Sequence, residues 1–481
     1  MRLATYLALA CALGAITAYL LGLGGTFGNT DEVLYAEFIR RMLDTGSYFA
    51  LEYDGAPVLQ RPALPVALYA LAAKVIPGEL GLRIMPSLLT ALSGAAAMWI
   101  AWRAKRRPGV GVVALCLVTG APTVYCYGRA LLSDPPLVLA CTLAMGATMA
   151  AMTQPRYVAW ALVALGGAVA MKSLAAAIPA VGLVPWLLWA AWRGRRSKEL
   201  HLGWGIAGFL ALALPFFLVN LARHGAKFVD VHLGYNLAQR ARGAMEGIGI
   251  GGPLAYVEHM WRFDGPVVTL VLLGGVALAL VVAMAKRDWE LAVPSSSALG
   301  TLLLLSAIGT RLPHYLLVFY PPAAVSVALL AARIDALASN LRSAKVIAPV
   351  LAVTLLLTTL ASPTVDTSLI ASPEAKSLGQ AAAERTPRGS AVYTLDWYAP
   401  AYAYYANRPW RLLSTVDKMV RVVGGVDVFR DAGTVSRVPP WPSGELLVAA
   451  ERARIAMIPG LRIIAEIASA GDYVLAQVVA E

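Results

Sequence analysis

Two adjacent carboxylates, Asp31 and Glu32, stand just after the first apolar run, where a chain leaving a membrane would place them at its mouth. A carboxylate held there can accept the proton of an acceptor hydroxyl, and partial removal from water tunes its pKa for that work. The same aspartate is also a good N-cap for the amphipathic stretch 33–41, so spacing alone leaves both readings open. Further on, Gln60-Arg61-Pro62-Ala63-Leu64-Pro65 fixes a guanidinium between rigid turns, which suits phosphate binding as well as it suits a snorkelling arginine. Gly128-Arg129 and Ser133-Asp134-Pro135 form another polar break. There Asp134 can position a substrate, orient Arg129, or cap a helix that has Pro at its first position.

Lys172-Ser173 interrupts a long apolar stretch. A cation at that depth is costly unless it meets a cavity, a partner or an anionic headgroup, or snorkels to the surface. In the segment 222–265, Phe228, His232, Asn236 and Arg240 recur every fourth residue and would share one helical stripe. Arg311-Leu312-Pro313-His314-Tyr315 is a last short polar cluster between apolar runs. Together Arg61, Arg129, Lys172, Arg240 and Arg311 would make a cationic collar able to stabilise a departing phosphate without a metal. No metal-ligand spacing is present, and we expect neither a metal nor a cofactor.

The elements that must carry these groups are membrane helices. The chain of 481 residues is 59% hydrophobic and 14% charged, with a mean hydropathy of +0.66, outside the balance of a soluble globular protein. Apolar runs long enough to span a bilayer recur up to residue 362. They cover 3–23, 84–102, 110–127, 135–152, 157–171, 174–192, 203–221, 266–285, 291–309, 314–332 and 346–362, about eleven spans. The first lacks a small-x-small cleavage site and is expected to be a retained helix.

Lys and Arg concentrate in alternate loops, at 103–107, 156, 193–198, 286–287 and 333–345, which marks those loops as cytoplasmic. By that rule the segments 24–83 and 222–265 and the whole tail after 362 lie on the opposite, periplasmic or extracellular face, with every polar cluster named above. Much of the net charge of +12 is then topogenic, and nucleic acid is not expected as a partner. Cys11, Cys116, Cys126 and Cys141 fall in apolar runs and read as small packing residues rather than a disulfide set.

Within 24–83, Tyr35, Phe38, Ile39 and Met42 line one helical face and Leu64, Leu68, Leu71 and Val75 another, the pattern of two helices lying in the membrane interface. Asp54-Gly55 between them is a hairpin signal. After residue 362 short β-like runs at 391–395, 446–449, 455–458 and 473–478 alternate with helix-like stretches such as 377–384. We therefore expect two domains: a polytopic α-helical bundle over 1–362, and a small soluble α/β domain over 363–481 facing the periplasm.

At these motifs the chain resembles the GT-C superfamily of lipid-linked-sugar glycosyltransferases, in the branch of the aminoarabinose transferases of lipid A and the protein O-mannosyltransferases. Asp31-Glu32-Val33-Leu34-Tyr35-Ala36-Glu37 is close to the family's D-E-x-x-Y-A-E, and Gln60-Arg61-Pro62-Ala63-Leu64-Pro65 to its K-P-P-L-P. Met171-Lys172-Ser173 stands in place of its T-K-G, and Asp134, Arg240 and His314-Tyr315 follow in order.

The resemblance implies a bacterial inner-membrane enzyme that moves a sugar from a polyprenyl-phosphate donor to a cell-envelope acceptor: lipid A or lipopolysaccharide, another glycan, or protein. Asp31, with Glu32, would be the catalytic carboxylate. Arg61, Lys172, Arg240, Arg129 and Arg311 would hold the donor phosphate, and Tyr35, Asp134, His232, His314 and Tyr315 would shape the cavity. Arg61 replaces the family's lysine and Gln60 a frequent glutamate, which alters how the headgroup is held and leaves the sugar open. The rival reading is a polyprenyl-lipid or polysaccharide flippase, which predicts broken helices in paired halves.

Overall fold

The computed structural model describes residues 2–23, 25–27, 30–195, 198–239, 251–337, 373–417, 419–420, 433–438, 440–455 and 457–480. Helix α1 (Arg2–Leu20) leads to α2 (Thr30–Thr45), a two-stranded hairpin β1 (Glu52–Tyr53) and β2 (Ala56–Pro57), and α3 (Leu64–Val75). The hairpin turn is the expected one: Asp54 and Gly55 both take positive φ, 47° and 79°, as the primed turns require. The bundle continues with α4 (Gly78–Lys105), α5 (Pro108–Thr119), α6 (Pro122–Tyr127), α7 (Asp134–Ala151), α8 (Tyr157–Lys172), α9 (Ala177–Ala180), α10 (Val184–Gly194) and α11 (Leu202–Val229). It closes with α12 (Ala255–His259), α13 (Pro266–Lys286), α14 (Trp289–Ala307) and α15 (Tyr320–Leu337).

Among the described residues, seven helical stretches are long and apolar enough to cross a membrane. Seven of the expected runs correspond to these stretches, and four, 3–23, 110–127, 174–192 and 346–362, do not. The run 110–127 is broken before Pro122, which cannot continue α5, and the expected span 346–362 lies outside the described residues. The runs 157–171 and 174–192 are separated at Ser173, where φ is +53°, and the second is itself divided into short helices.

Apolar side chains face outward where lipid would be: only 11% of the most apolar 18 residues within Leu202–Gly234 are buried, and Leu214, Leu218 and Leu221 are exposed. Where helices meet each other, small residues let them close up. A Cβ on Gly166 of α8 would lie 2.7 Å from the Phe209 backbone, and one on Gly205 of α11 would lie 2.6 Å from Ala159.

The two helices of the first loop exist, with different exposures. Leu64, Leu71 and Val75 of α3 are exposed, as an interfacial helix requires. The Tyr35–Met42 face of α2 is instead buried inside the protein, in one apolar cluster with α3 and the C-terminal domain.

That domain comprises α16 (Pro373–Arg385), α17 (Pro400–Ala406), α18 (Arg452–Ile455) and six strands: β3 (Val392–Leu395), β4 (Trp410–Ser414), β5 (Val435–Arg437), β6 (Glu445–Glu451), β7 (Leu461–Ala470) and β8 (Tyr473–Ala480). The sheet order is β5-β4-β3-β6-β8-β7, parallel from β5 to β6 and antiparallel beyond. It is a small α/β unit, as expected. Residues 455, 457 and 458 lie in no strand: Ile455 ends α18, and the Met457 and Ile458 N–H groups donate back to the Arg454 and Ile455 carbonyls. The expected domain boundary at 362 lies outside the described residues.

Candidate active site

A cavity of about 390 Å³ opens where the N-terminal end of α2, the Gln60–Pro62 turn, the start of α7 and the break after α8 converge with the chain entering α15. Its walls are mainly aliphatic, among them Leu132, Leu137, Ile178, Leu305 and Val318. Its polar groups come in pairs. Arg61 Nη2 donates to Asp31 Oδ1 at 2.6 Å, with the guanidinium 5.2 Å from the centre of the Tyr35 ring. Burial pulls the Arg61 pKa down, but the charge and hydrogen bond of Asp31 outweigh it and raise the pKa, so Arg61 stays charged.

Lys172 Nζ donates to both oxygens of Asp134 at 2.6 Å and lies 4.5 Å from the centre of the Tyr315 ring. His314 Nε2 stands 4.0 Å from Asp134 Oδ2. Asp134 opens α7 ahead of two prolines that need no N–H partner there, and its carboxylate is spent on Lys172 rather than on a cap. Lys172 ends α8 because the chain turns at Ser173, whose φ of +53° and ψ of −137° an L-residue adopts only under strain. Ser173 Oγ is 2.6 Å from His232 Nε2, and His232 Nδ1 is 3.3 Å from the Leu59 carbonyl, next to Gln60 and Arg61. The two cation-bearing segments are thus tied through one imidazole, which stacks on Phe228 one turn back, as the four-residue spacing implied.

The cavity therefore brings together Asp31, Tyr35, Arg61, Asp134, Lys172, His232, His314 and Tyr315. Three other expected residues lie outside its lining. Glu32 is 1% exposed, accepts two bonds from Arg83 at 2.7 and 2.8 Å and one from the Leu131 N–H at 3.1 Å, and so pins α2 to α4. Arg129 donates to the Leu21 carbonyl and packs over Tyr125 at 4.4 Å. Arg311 donates to the Ser306 and Gly251 carbonyls. Arg240 lies outside the described residues. Sequence reasoning missed Arg83, which also donates to the carbonyls of Gly25 and Thr26; its one signal was a charge at the margin of the expected span 84–102.

The arrangement can receive an anion. Both cations are paired with carboxylates, and a phosphate could take over their hydrogen bonds and release Asp31. Among the described residues no three His, Cys, Asp or Glu side chains are grouped to hold a metal.

Known proteins share this framework. The family model for dolichyl-phosphate-mannose-protein mannosyltransferase matches residues 27–229. The undecaprenyl phosphate-alpha-4-amino-4-deoxy-L-arabinose arabinosyl transferase of Edwardsiella ictaluri is 28% identical over 211 residues, 42% of this chain, and the match spans only 37% of that protein's length. ArnT from Cupriavidus metallidurans, solved bound to undecaprenyl phosphate, superposes on 98% of this chain and 97% of its own, with a TM-score of 0.76 at 16% identity. The Archaeoglobus fulgidus oligosaccharyltransferase superposes on 92% of this chain and 67% of its own, with a TM-score of 0.55 at 12% identity. With the family-model match covering the segments that carry Asp31, Arg61, Asp134 and Lys172 and the structural match running through the C-terminal sheet, this chain is a multi-pass membrane protein with the fold of ArnT, similar over residues 27–229 to the protein mannosyltransferases.

Proposed function

We propose that the protein is an integral-membrane glycosyltransferase that moves a sugar from a polyprenyl-phosphate carrier to a cell-envelope acceptor on the face opposite the cytoplasm. The observation that carries this reading is the pair of carboxylate-bound cations, Arg61 with Asp31 and Lys172 with Asp134, meeting in one apolar-walled cavity among membrane helices. A sugar phosphodiester carries one negative charge, and the phosphate monoester that leaves it carries up to two. Cations fixed at the phosphate therefore favour the transition state over the bound donor.

In this reading the donor phosphate lies between Arg61 and Lys172, with Arg240 a further candidate, and the prenyl tail runs along the aliphatic wall. Asp31, freed from Arg61, aligns and deprotonates the acceptor hydroxyl, which attacks the anomeric carbon from the side opposite the phosphate. Tyr35, Tyr315, His232 and His314 shape the space around the sugar. Glu32, Arg129 and Arg311 act through the framework. The alternating basic loops support a bacterial inner-membrane topology with the cavity and the domain over 363–481 on the periplasmic side. The undecaprenyl-linked substrate named for the Edwardsiella relative supports a polyprenyl donor, and the acceptor is lipid A, another glycan or protein.

Membranes containing the protein, supplied with a panel of radiolabelled polyprenyl-phosphate sugars, should pass label from one of them to an endogenous acceptor. Asp31→Asn should reduce that transfer by about a hundredfold or more while the protein remains folded and inserted. Near-normal turnover by the variant would refute the role of Asp31. Movement of the intact lipid across the bilayer with no sugar released would favour the flippase.

A further inference from the structure

Ser173 holds a backbone conformation that suits glycine. At a φ of +53° and ψ of −137° a Cβ crowds the adjoining peptide, and few residues with a side chain are found there. The side chain that bears this strain is buried, and its hydroxyl is bonded to His232. We propose that Ser173 is a positioning residue for the donor phosphate: acting through His232, its hydroxyl fixes Lys172 relative to Arg61, and the strained turn is what places it there. The proposal rests on the transferase reading and adds to it the device that sets the spacing of the two cations.

The direction of the bonds follows from the partners. A carbonyl only accepts, so Nδ1 of His232 carries the hydrogen that meets the Leu59 oxygen at 3.3 Å. Nε2 of the neutral ring then accepts from Ser173 Oγ at 2.6 Å. Packing holds the ring in that orientation. Phe228 lies nearly parallel to it, with ring centres 5.2 Å apart, and Phe216 and Phe217 meet it edge-to-face at 5.2 and 5.5 Å. None of the three phenyl rings offers Nε2 a donor.

The two ends of this chain of bonds are the two cation-bearing segments. Ser173 follows Lys172 directly, and Leu59 stands two residues before Arg61. Asp31 and Asp134 hold the cations through their side chains, but a phosphate that takes over those hydrogen bonds removes both carboxylates as anchors. What fixes the cations then is the backbone beneath them, and the Leu59–His232–Ser173 bonds join one segment to the other.

Loss of the hydroxyl leaves Nε2 as a buried acceptor among apolar rings, which is unfavourable enough to move the imidazole toward another donor. The Leu59 bond weakens with it, and the segments lose their shared tie. A displacement on the order of 1 Å between groups that must meet one phosphate is sufficient to change binding and rate severalfold or more.

Two variants of the full-length protein separate strain from hydrogen bonding. Ser173→Gly removes the hydroxyl and relieves the strain, whereas Ser173→Ala removes the hydroxyl and keeps it. Thermal unfolding in detergent should therefore place Ser173→Gly above Ser173→Ala by about 2 °C or more. Both should nevertheless bind a synthetic polyprenyl phosphate about tenfold more weakly than the wild type, and to the same extent. In transfer assays both should raise the donor KM about tenfold and leave the acceptor KM within about twofold. His232→Phe, which keeps a ring among the phenylalanines and loses both bonds, should weaken phosphate binding at least as much. Adding Ser173→Gly to it should weaken binding no further, because the two residues act through one bond. Phosphate affinity that follows the unfolding temperatures, with Ser173→Gly near wild type and Ser173→Ala weaker, would give the turn a structural role only and overturn the proposal. Additive losses in the double variant, or an acceptor KM that rises with the donor KM, would do the same. Absence of transfer from every donor by the wild type counts instead against the transferase reading and leaves the phosphate-binding comparison standing.

Discussion

Lys172 and Asp134 form the most enclosed ion pair of the cavity, with side-chain exposures of 18% and 3%. Removing one partner leaves the other charge buried and unpaired, which costs about 3–5 kcal/mol, whereas replacing both with apolar groups of similar volume is often neutral. Lys172→Met and Asp134→Leu are each expected to lower stability by that order. The double variant should recover most of it in a thermal unfolding measurement in detergent. Transfer should stay lost in the double variant, because no ammonium remains to meet the phosphate. Recovery of activity along with stability would mean that Lys172 serves only to neutralise Asp134. The residue types of this site were legible in the sequence, as were Arg61 and Asp31, because a charge in an apolar chain demands an explanation. Their pairings were not legible. Asp134 sits near Arg129 in sequence yet bonds Lys172, and Glu32 meets Arg83 across a whole loop, since such contacts are set by how helices pack rather than by local spacing.

At the scale of elements, long periodic segments and strong turn signals were readable: α7, α13 and the Asp54-Gly55 hairpin appear as expected. Strands β4 and β7 were not, because Trp410–Ser414 has no polar alternation and the β7 ladder contains register shifts against β8. Residues 455–458 looked like a strand from composition, but Asp396 fixes the neighbouring chain otherwise. It follows β3 at a positive φ of 49° and accepts from Ser414 Oγ at 2.7 Å, Thr415 N at 2.8 Å, Thr415 Oγ1 at 2.6 Å and Arg454 Nε at 3.0 Å. One carboxylate thus joins the ends of β3 and β4 to α18. Burial pushes its pKa up, but the bonds from Thr415, Ser414 and Arg454 outweigh this and hold it below the ordinary aspartate value. A carboxyl depressed in the folded state stabilises fully above the unfolded pKa, about 3.9, and loses that contribution as pH falls through the folded value. The C-terminal sheet should therefore weaken below about pH 4. Asp396→Asn should be less stable than wild type at pH 7 and show a flatter acid profile, read by amide exchange in β3 and β4. A variant with the wild-type profile would remove Asp396 from the cause.

For the whole molecule, the C-terminal domain matters because it is docked on the helix that carries Asp31. The Phe27 N–H, just ahead of α2, donates to Tyr405 Oη at 3.0 Å, and that hydroxyl lies 3.3 Å from Glu79 Oε1 of α4. Lys376 of α16 reaches the same Glu79 oxygen at 2.6 Å, and the Phe27 and Tyr404 rings meet edge-to-face at 5.5 Å. The sheet domain, the approach to α2 and the start of α4 are thereby held in one arrangement, while Lys172 is positioned by the bundle alone. Tyr405→Phe leaves the Phe27 N–H without its acceptor, and Lys376→Ala removes the cation from Glu79. Together they should cost about 1–3 kcal/mol, the penalty of buried polar groups losing their partners. The functional effect should be selective. With α2 less firmly held, Asp31 is misplaced relative to the acceptor, so kcat should fall and the acceptor KM rise, while the donor KM, set by Arg61 and Lys172, both outside α2, and by the aliphatic wall, should change less than twofold. A donor KM that rises as much as the acceptor KM would show that the docked domain supports the entire cavity and not α2 in particular.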